Sequence, residues 1–215
     1  MTGIPKYKRV LVYCGDYLNR ETVHIYRQLV HLKNFEPHVV AKKFKNLEVY
    51  PLRNLHELQR DPNVLRRRLH KFYSKRFKRQ LRVEISQYEK NQLLRKADEI
   101  NADLIHVYLG TEAVRLLPYL TEERRPKIIS FHGVDTSDAL NDDDFHKILS
   151  TSHLLLARSE SLKFKLVERG CSADKIFLNP AGIPISSLVE NHNNRNNQAR
   201  FFFLQACRFI EKKGL

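Results

Sequence analysis

Seven short apolar runs punctuate the 215-residue chain: VLVYC (10–14), HVVA (38–41), LIHVYL (104–109), KIISF (127–131), HLLLA (153–157), KIFLN (175–179) and RFFFLQA (200–206). They are continuous and not alternating, which is how strands buried on both faces read, and parallel sheets are where such strands occur. Helix-like stretches separate them. One spans 21–33, with Val23, Tyr26, Leu29, Val30 and Leu32 as its apolar face; others span 111–117, 143–150 and 159–169, the last stopped by Gly170. This alternation predicts an α/β fold, a Rossmann-like parallel sheet with helices on both faces. With 42% of its residues apolar, the chain can bury a core of that size.

Sheets of this type bind ligands in the crevice outside the carboxyl ends of their strands. Two strand ends carry suitable chemistry. After the first strand, CGDYLN places Gly15, Asp16 and Asn19 where a tight turn opens towards a ligand, although any strand-to-helix turn uses Gly and Asp. In IISFHGVDTS (128–137) the apolar run stops at His132, and Gly133 lets a ligand approach the backbone. Asp135 reads as an Asx-turn residue ordering that loop. The acidic run NDDDF (141–145) reads as a helix start, an Asn cap with acids complementing the dipole, in preference to a metal site.

The charge is uneven. Of the net +14, the segment 60–82 holds ten Lys or Arg against one acid, Asp61, a net of +9. Leu65, Leu69, Phe72, Phe77 and Leu81 keep helical spacing within it, and Asp61-Pro62 marks a start, so a basic amphipathic helix is expected. Arg66, Arg67, Arg68, Lys71, Phe72, Lys75 and Arg76 could meet an anionic bilayer. The same charges could neutralise nucleic-acid phosphates, or the helix could simply pack on the domain. No nucleic-acid motif occurs elsewhere, so no nucleic-acid partner is expected.

Cys14, Cys171 and Cys207 are far apart, which disfavours a zinc site or a disulfide framework and fits a reducing compartment. The first residues lack a signal-peptide core and no run reaches the ~20 apolar residues of a membrane span, so a cytoplasmic chain is expected, able to sit peripherally at the inner face of the membrane. The Asn-rich run at 191–200 reads as a linker. It divides an N-terminal domain, 1–190, from residues 201–215, which are too few for a domain and read as the start of a truncated second one. The first strand is not followed by Gly-x-Gly-x-x-Gly, which argues against a nicotinamide-dependent oxidoreductase.

Three separated pieces share one likeness. SFHGVDTS, ARSESLKFKLVERGCSADKIFLNPAGIP and ACRFIEKKGL resemble, in order and spacing, motifs of the family 4 retaining glycosyltransferases of GT-B fold. Pro184 stands where an acid is usual in the hinge, and Cys207 where a glycine precedes Arg208. The resemblance implies a glycosyltransferase of hexosyl type with two Rossmann-like domains across a cleft, serving cell-surface polysaccharide or glycolipid synthesis. It implies that this chain is the acceptor-binding half, inactive alone. A nucleotide-sugar is then substrate, a glycan or lipid-linked molecule is acceptor, and no metal or other cofactor is required. His132 would face the donor sugar as the catalytic residue, Gly15, Asp16 and Asn19 would line the acceptor side, and Arg208 and Lys213 would hold the donor diphosphate. The competing class is a non-catalytic basic module binding nucleic acid or anionic phospholipid.

Overall fold

The structure, a computed structural model, describes residues 7–18, 22–76, 83–133 and 140–182. Seven parallel strands form its sheet. In chain order they are β1 (Lys8–Tyr13), β3 (Phe35–Ala41), β5 (Leu55–Glu57), β6 (Leu104–Tyr108), β7 (Lys127–Phe131), β8 (Leu154–Ala157) and β9 (Ile176–Leu178), and across the sheet they run β5-β3-β1-β6-β7-β8-β9. A second ladder pairs β2 (Asp16–Tyr17) with β4 (Lys43–Phe44), just beyond the carboxyl ends of β1 and β3. The chain builds outward from β1 to β5, returns to lay β6 against the other side of β1, and builds outward again. The crevice between the carboxyl ends of β1 and β6 is therefore the topological switch point.

Both faces of the sheet are covered because both sets of alternating side chains are apolar. On one face Val10, Val12, Cys14, Val39 and Tyr108 pack with Ile25 and Leu29 of α1 (Val23–Val30). On the other, Leu11, Tyr13, Ile105, Val107, Ile129 and Leu155 form the larger core with Leu93, Val114, Leu120, Phe145 and Leu166. Those come from α3 (Gln87–Glu99), α4 (Gly110–Arg115), α5 (Leu117–Glu122), α6 (Asp142–Thr151) and α7 (Glu160–Glu168). Buried Cys14 and Cys171 are free thiols, and burial pushes both up, as expected of inert packing residues.

Several expectations are corrected. In α1 only Ile25 and Leu29 are buried, whereas Val30 and Leu32 of the assigned apolar face are exposed. The single helix read over 111–117 is two short ones, α4 and α5, broken at Leu116 with Pro118 in the first turn of the second. The longest helices include one that the apolar runs do not announce, α3. Its signal was a capping box: the Ser86 hydroxyl accepts from the Glu89 backbone N–H, and the Glu89 carboxylate accepts from the Ser86 N–H at 2.8 Å. The acidic run does cap a helix. Asn141 accepts from the Asp144 N–H at 2.8 Å, and Asp142, Asp143 and Asp144 occupy the first turn of α6.

The basic segment is helical as α2 (Val64–Arg76), starting after Asp61-Pro62, with the Asn63 side chain accepting from the Arg66 N–H at 2.9 Å. Its apolar residues do not pack inward. Leu65, Leu69 and Phe72 are each 60% or more exposed, and the one buried side chain of the helix is Ser74. No helix among the described residues is long and apolar enough to cross a membrane.

Candidate functional site

At the switch point the backbone is shaped by close approaches. Gly15 follows β1, and a Cβ there would lie 2.7 Å from Oε2 of Glu112, so a larger residue would push that carboxylate away from the strand end. Gly110 opens α4 with a similar constraint, since its Cβ would meet the buried Phe131 ring at 2.4 Å. Between them Leu109 sits at φ 77°, a left-handed conformation that costs an L-residue about 1–3 kcal/mol and that clusters at functional sites. The tertiary structure holds it, because the Leu109 N–H donates to the Ser130 carbonyl at 2.9 Å.

Glu112 was not foreseen from sequence. Its carboxylate pairs with Arg115 at 3.3 Å, while its other oxygen, Oε2, is buried with no hydrogen-bond partner among the described residues. Such an oxygen costs free energy that a hydroxyl donor would relieve. No motif announces it, because its contact with Gly15 crosses from β1 to the helix after β6.

His132 stands at the carboxyl end of β7, as expected, on the face that carries Tyr108. It belongs to an aromatic group. Its ring lies 4.5 Å from that of His24, in the first turn of α1, and 6.1 Å edge-on to Tyr108, which stacks at 4.2 Å on His106. His106 Nε2 and the Ser130 Oγ are 2.8 Å apart. Burial, then electrostatic repulsion of the charged form by Arg158 and by any proton on His24 or His106, bring the His132 imidazole down to about 3, and burial brings His106 down to about 4. Both rings are therefore neutral at physiological pH. A neutral imidazole can donate from one nitrogen and accept at the other, which suits a sugar hydroxyl better than an anion. Gly133, at φ 98°, holds a backbone conformation that side chains with a Cβ rarely adopt, and among the described residues no atom lies within 4 Å of the position a Cβ would take. His24 and His106 are members that sequence reasoning missed.

The other assigned residues divide. Gly15 lies at the switch point. Asp16, expected in a tight turn, is instead in β2, its side chain half-exposed and 3.9 Å from Lys45, and Tyr17 behind it is fully buried edge-on to Phe44. Asn19, Asp135, Phe77, Leu81, Arg208 and Lys213 lie outside the described residues, as does the assigned boundary at 190–201. On α2, Arg68, Phe72, Lys75 and Arg76 share an outward groove with Lys71, whereas Arg67 and Lys71 also face the body of the domain, and Arg66 lies 3.7 Å from Asp61.

No known protein-family model matches the chain, and no curated protein matches it in sequence. Solved structures do match in fold. Anabaena HepE in complex with UDP and glucose superposes with a TM-score of 0.58 at 12% identity, over 84% of this chain and 46% of that one. The UDP-GlcNAc 2-epimerase of Neisseria meningitidis bound to UDP-GlcNAc gives 0.54 at 12% identity, over 79% of this chain and 45% of that one. The UDP-N-acetylglucosamine 2-epimerase of Rickettsia bellii gives 0.53 at 12%, over 81% and 45%. This chain thus spans less than half the length of each. What the likeness defines is the class of fold, a Rossmann-like α/β domain of GT-B type.

Proposed function

We propose that the chain is the acceptor-binding N-terminal domain of a sugar-nucleotide enzyme, a retaining glycosyltransferase of the family 4 kind. The observation that carries this reading is His132: a neutral imidazole at a strand end of a GT-B-type domain, in ring contact with His24 and Tyr108 and followed by a left-handed Gly133. The three motifs in 128–215 support the family, and the UDP-bound neighbours support a nucleotide-sugar as donor.

In this reading the His132 nitrogen holds a hydroxyl of the donor sugar near the reacting carbon. The imidazole stays uncharged, so it orients the sugar without opposing the positive charge that develops as the bond to the diphosphate breaks. Residues 201–215 begin the donor domain, where Arg208 and Lys213 meet the diphosphate, and the donor chemistry needs no metal. The acceptor enters beside Gly15 and Glu112. The outward face of α2 lies on an anionic membrane, which presents a glycan or lipid-linked acceptor for cell-surface polysaccharide or glycolipid synthesis.

The test uses the product of the complete reading frame, assayed for sugar transfer from UDP-glucose and UDP-GlcNAc. His132→Ala should lower kcat by about 10²-fold with UDP affinity retained, since positioning and proton-handling side chains contribute at that level. Unchanged kcat would remove His132 from the site.

A further inference from the structure

Beside the switch point, and separate from the histidine group, lies a cavity of ≈ 320 Å³ under the inner side of α2. Five cations line it: Lys42 just after β3, Arg60, Arg67 and Lys71 on the β5–α2 side, and Arg115 at the end of α4. Three acids share the wall, Asp61, Glu84 and Glu89, leaving a local excess of positive charge.

The pairing pattern shows which cations are committed. Lys42 Nζ is 2.6 Å from Glu89 Oε1, both side chains nearly buried, and Arg115 is held by Glu112 at 3.3 Å. Asp61, 2% exposed, accepts from the Asn63 N–H at 2.9 Å and faces Arg66 at 3.7 Å, so it fixes the start of α2. That anchoring presents Arg67 and Lys71, one turn apart, to the same cavity. No carboxylate is within ion-pair reach of Arg60, Arg67 or Lys71 among the described residues. Three uncommitted cations around a concave space, backed by two ion pairs that fix its walls, make an electrostatic trap for a compact, multiply charged anion. A tetrahedral phosphate fits that description: its oxygens accept from two cations at once, and partial enclosure strengthens each contact.

We infer that this cavity binds a phosphate group carried by the acceptor. The inference rests on the acceptor-domain reading for the word acceptor, and on the cavity alone for the phosphate. The phosphate could belong to a soluble phosphorylated polyol or to a phospholipid headgroup delivered along α2. Both present the same chemistry to Arg67 and Lys71.

The experiment is a calorimetric titration of the 215-residue chain with glycerol phosphate, a fragment common to both sources, beside co-sedimentation with phosphatidylglycerol vesicles. Arg67→Gln with Lys71→Gln should weaken glycerol phosphate binding by roughly tenfold or more, through lost charge-assisted hydrogen bonds. Lys147→Gln with Lys165→Gln, an equal charge loss on α6 and α7, should leave it unchanged, and circular dichroism checks that each variant is folded. Saturable binding of free glycerol phosphate assigns the soluble source. Binding seen only with vesicles, and lost in the Arg67/Lys71 pair, assigns the headgroup. Absence of binding in both forms, or equal binding by both variant pairs, overturns the inference. Sugar transfer by the complete protein without phosphate binding would sink the cavity alone; phosphate binding without any transfer would sink the glycosyltransferase reading and leave the cavity standing.

Discussion

Four histidines, His38, His56, His106 and His132, are held neutral chiefly by burial, and their imidazoles titrate below the ordinary value. The unfolded chain protonates them near pH 6.5, where the folded chain does not, so it binds more protons as the pH falls. Their contribution to stability is therefore complete above about pH 6.5 and is lost progressively towards pH 4. The urea midpoint of the chain should drop between pH 7 and pH 5, and His106→Gln, which keeps a hydrogen-bonding group near Ser130, should flatten part of that drop. A midpoint independent of pH over this window would contradict the burial of these rings. Little of this was legible beforehand. His132 could be read because it ends an apolar run and precedes a glycine, both local signals. His24, His106 and Glu112 could not, because what makes them notable is a ring or carboxylate contributed from another element.

The strands were the most legible elements, since a strand buried on both faces writes its burial into consecutive residues. Helices were less so. α3 declares itself by Ser86 and Glu89 at its start, a cap typically worth about 1 kcal/mol, and not by an apolar run. α2 was legible as a helix, but its spacing left open whether the apolar side packs on the domain or faces outward, and the structure leaves Leu65, Leu69 and Phe72 exposed. Exposed apolar side chains interleaved with Arg68, Lys75 and Arg76 suit a surface that is both greasy and anionic. Each basic residue near such a surface contributes about 1 kcal/mol. The chain is thus expected to co-sediment with phosphatidylglycerol vesicles at low salt and not with phosphatidylcholine vesicles, and Leu69→Ser with Phe72→Ser should reduce the bound fraction severalfold. Equal binding by the double variant would leave charge alone as the attraction and remove α2 as an inserted face.

For the molecule as a whole, strand order is the part that sequence could not supply. Apolar runs predicted a parallel sheet, but the return of β6 to the open side of β1 is a tertiary choice, and it is this choice that creates the crevice joining Gly15, Leu109 and Glu112. In the proposed reading the chemistry is divided: this domain offers strand ends, a neutral histidine group and a cationic cavity, and the donor diphosphate falls to Arg208 and Lys213, which that reading assigns to a second domain. Sugar release from UDP-glucose and UDP-GlcNAc should therefore be measured for residues 1–215 and, in parallel, for the product of the complete reading frame. Release by the complete product and none by residues 1–215 is the expected result. Turnover by residues 1–215 alone would contradict the division of the site between two domains.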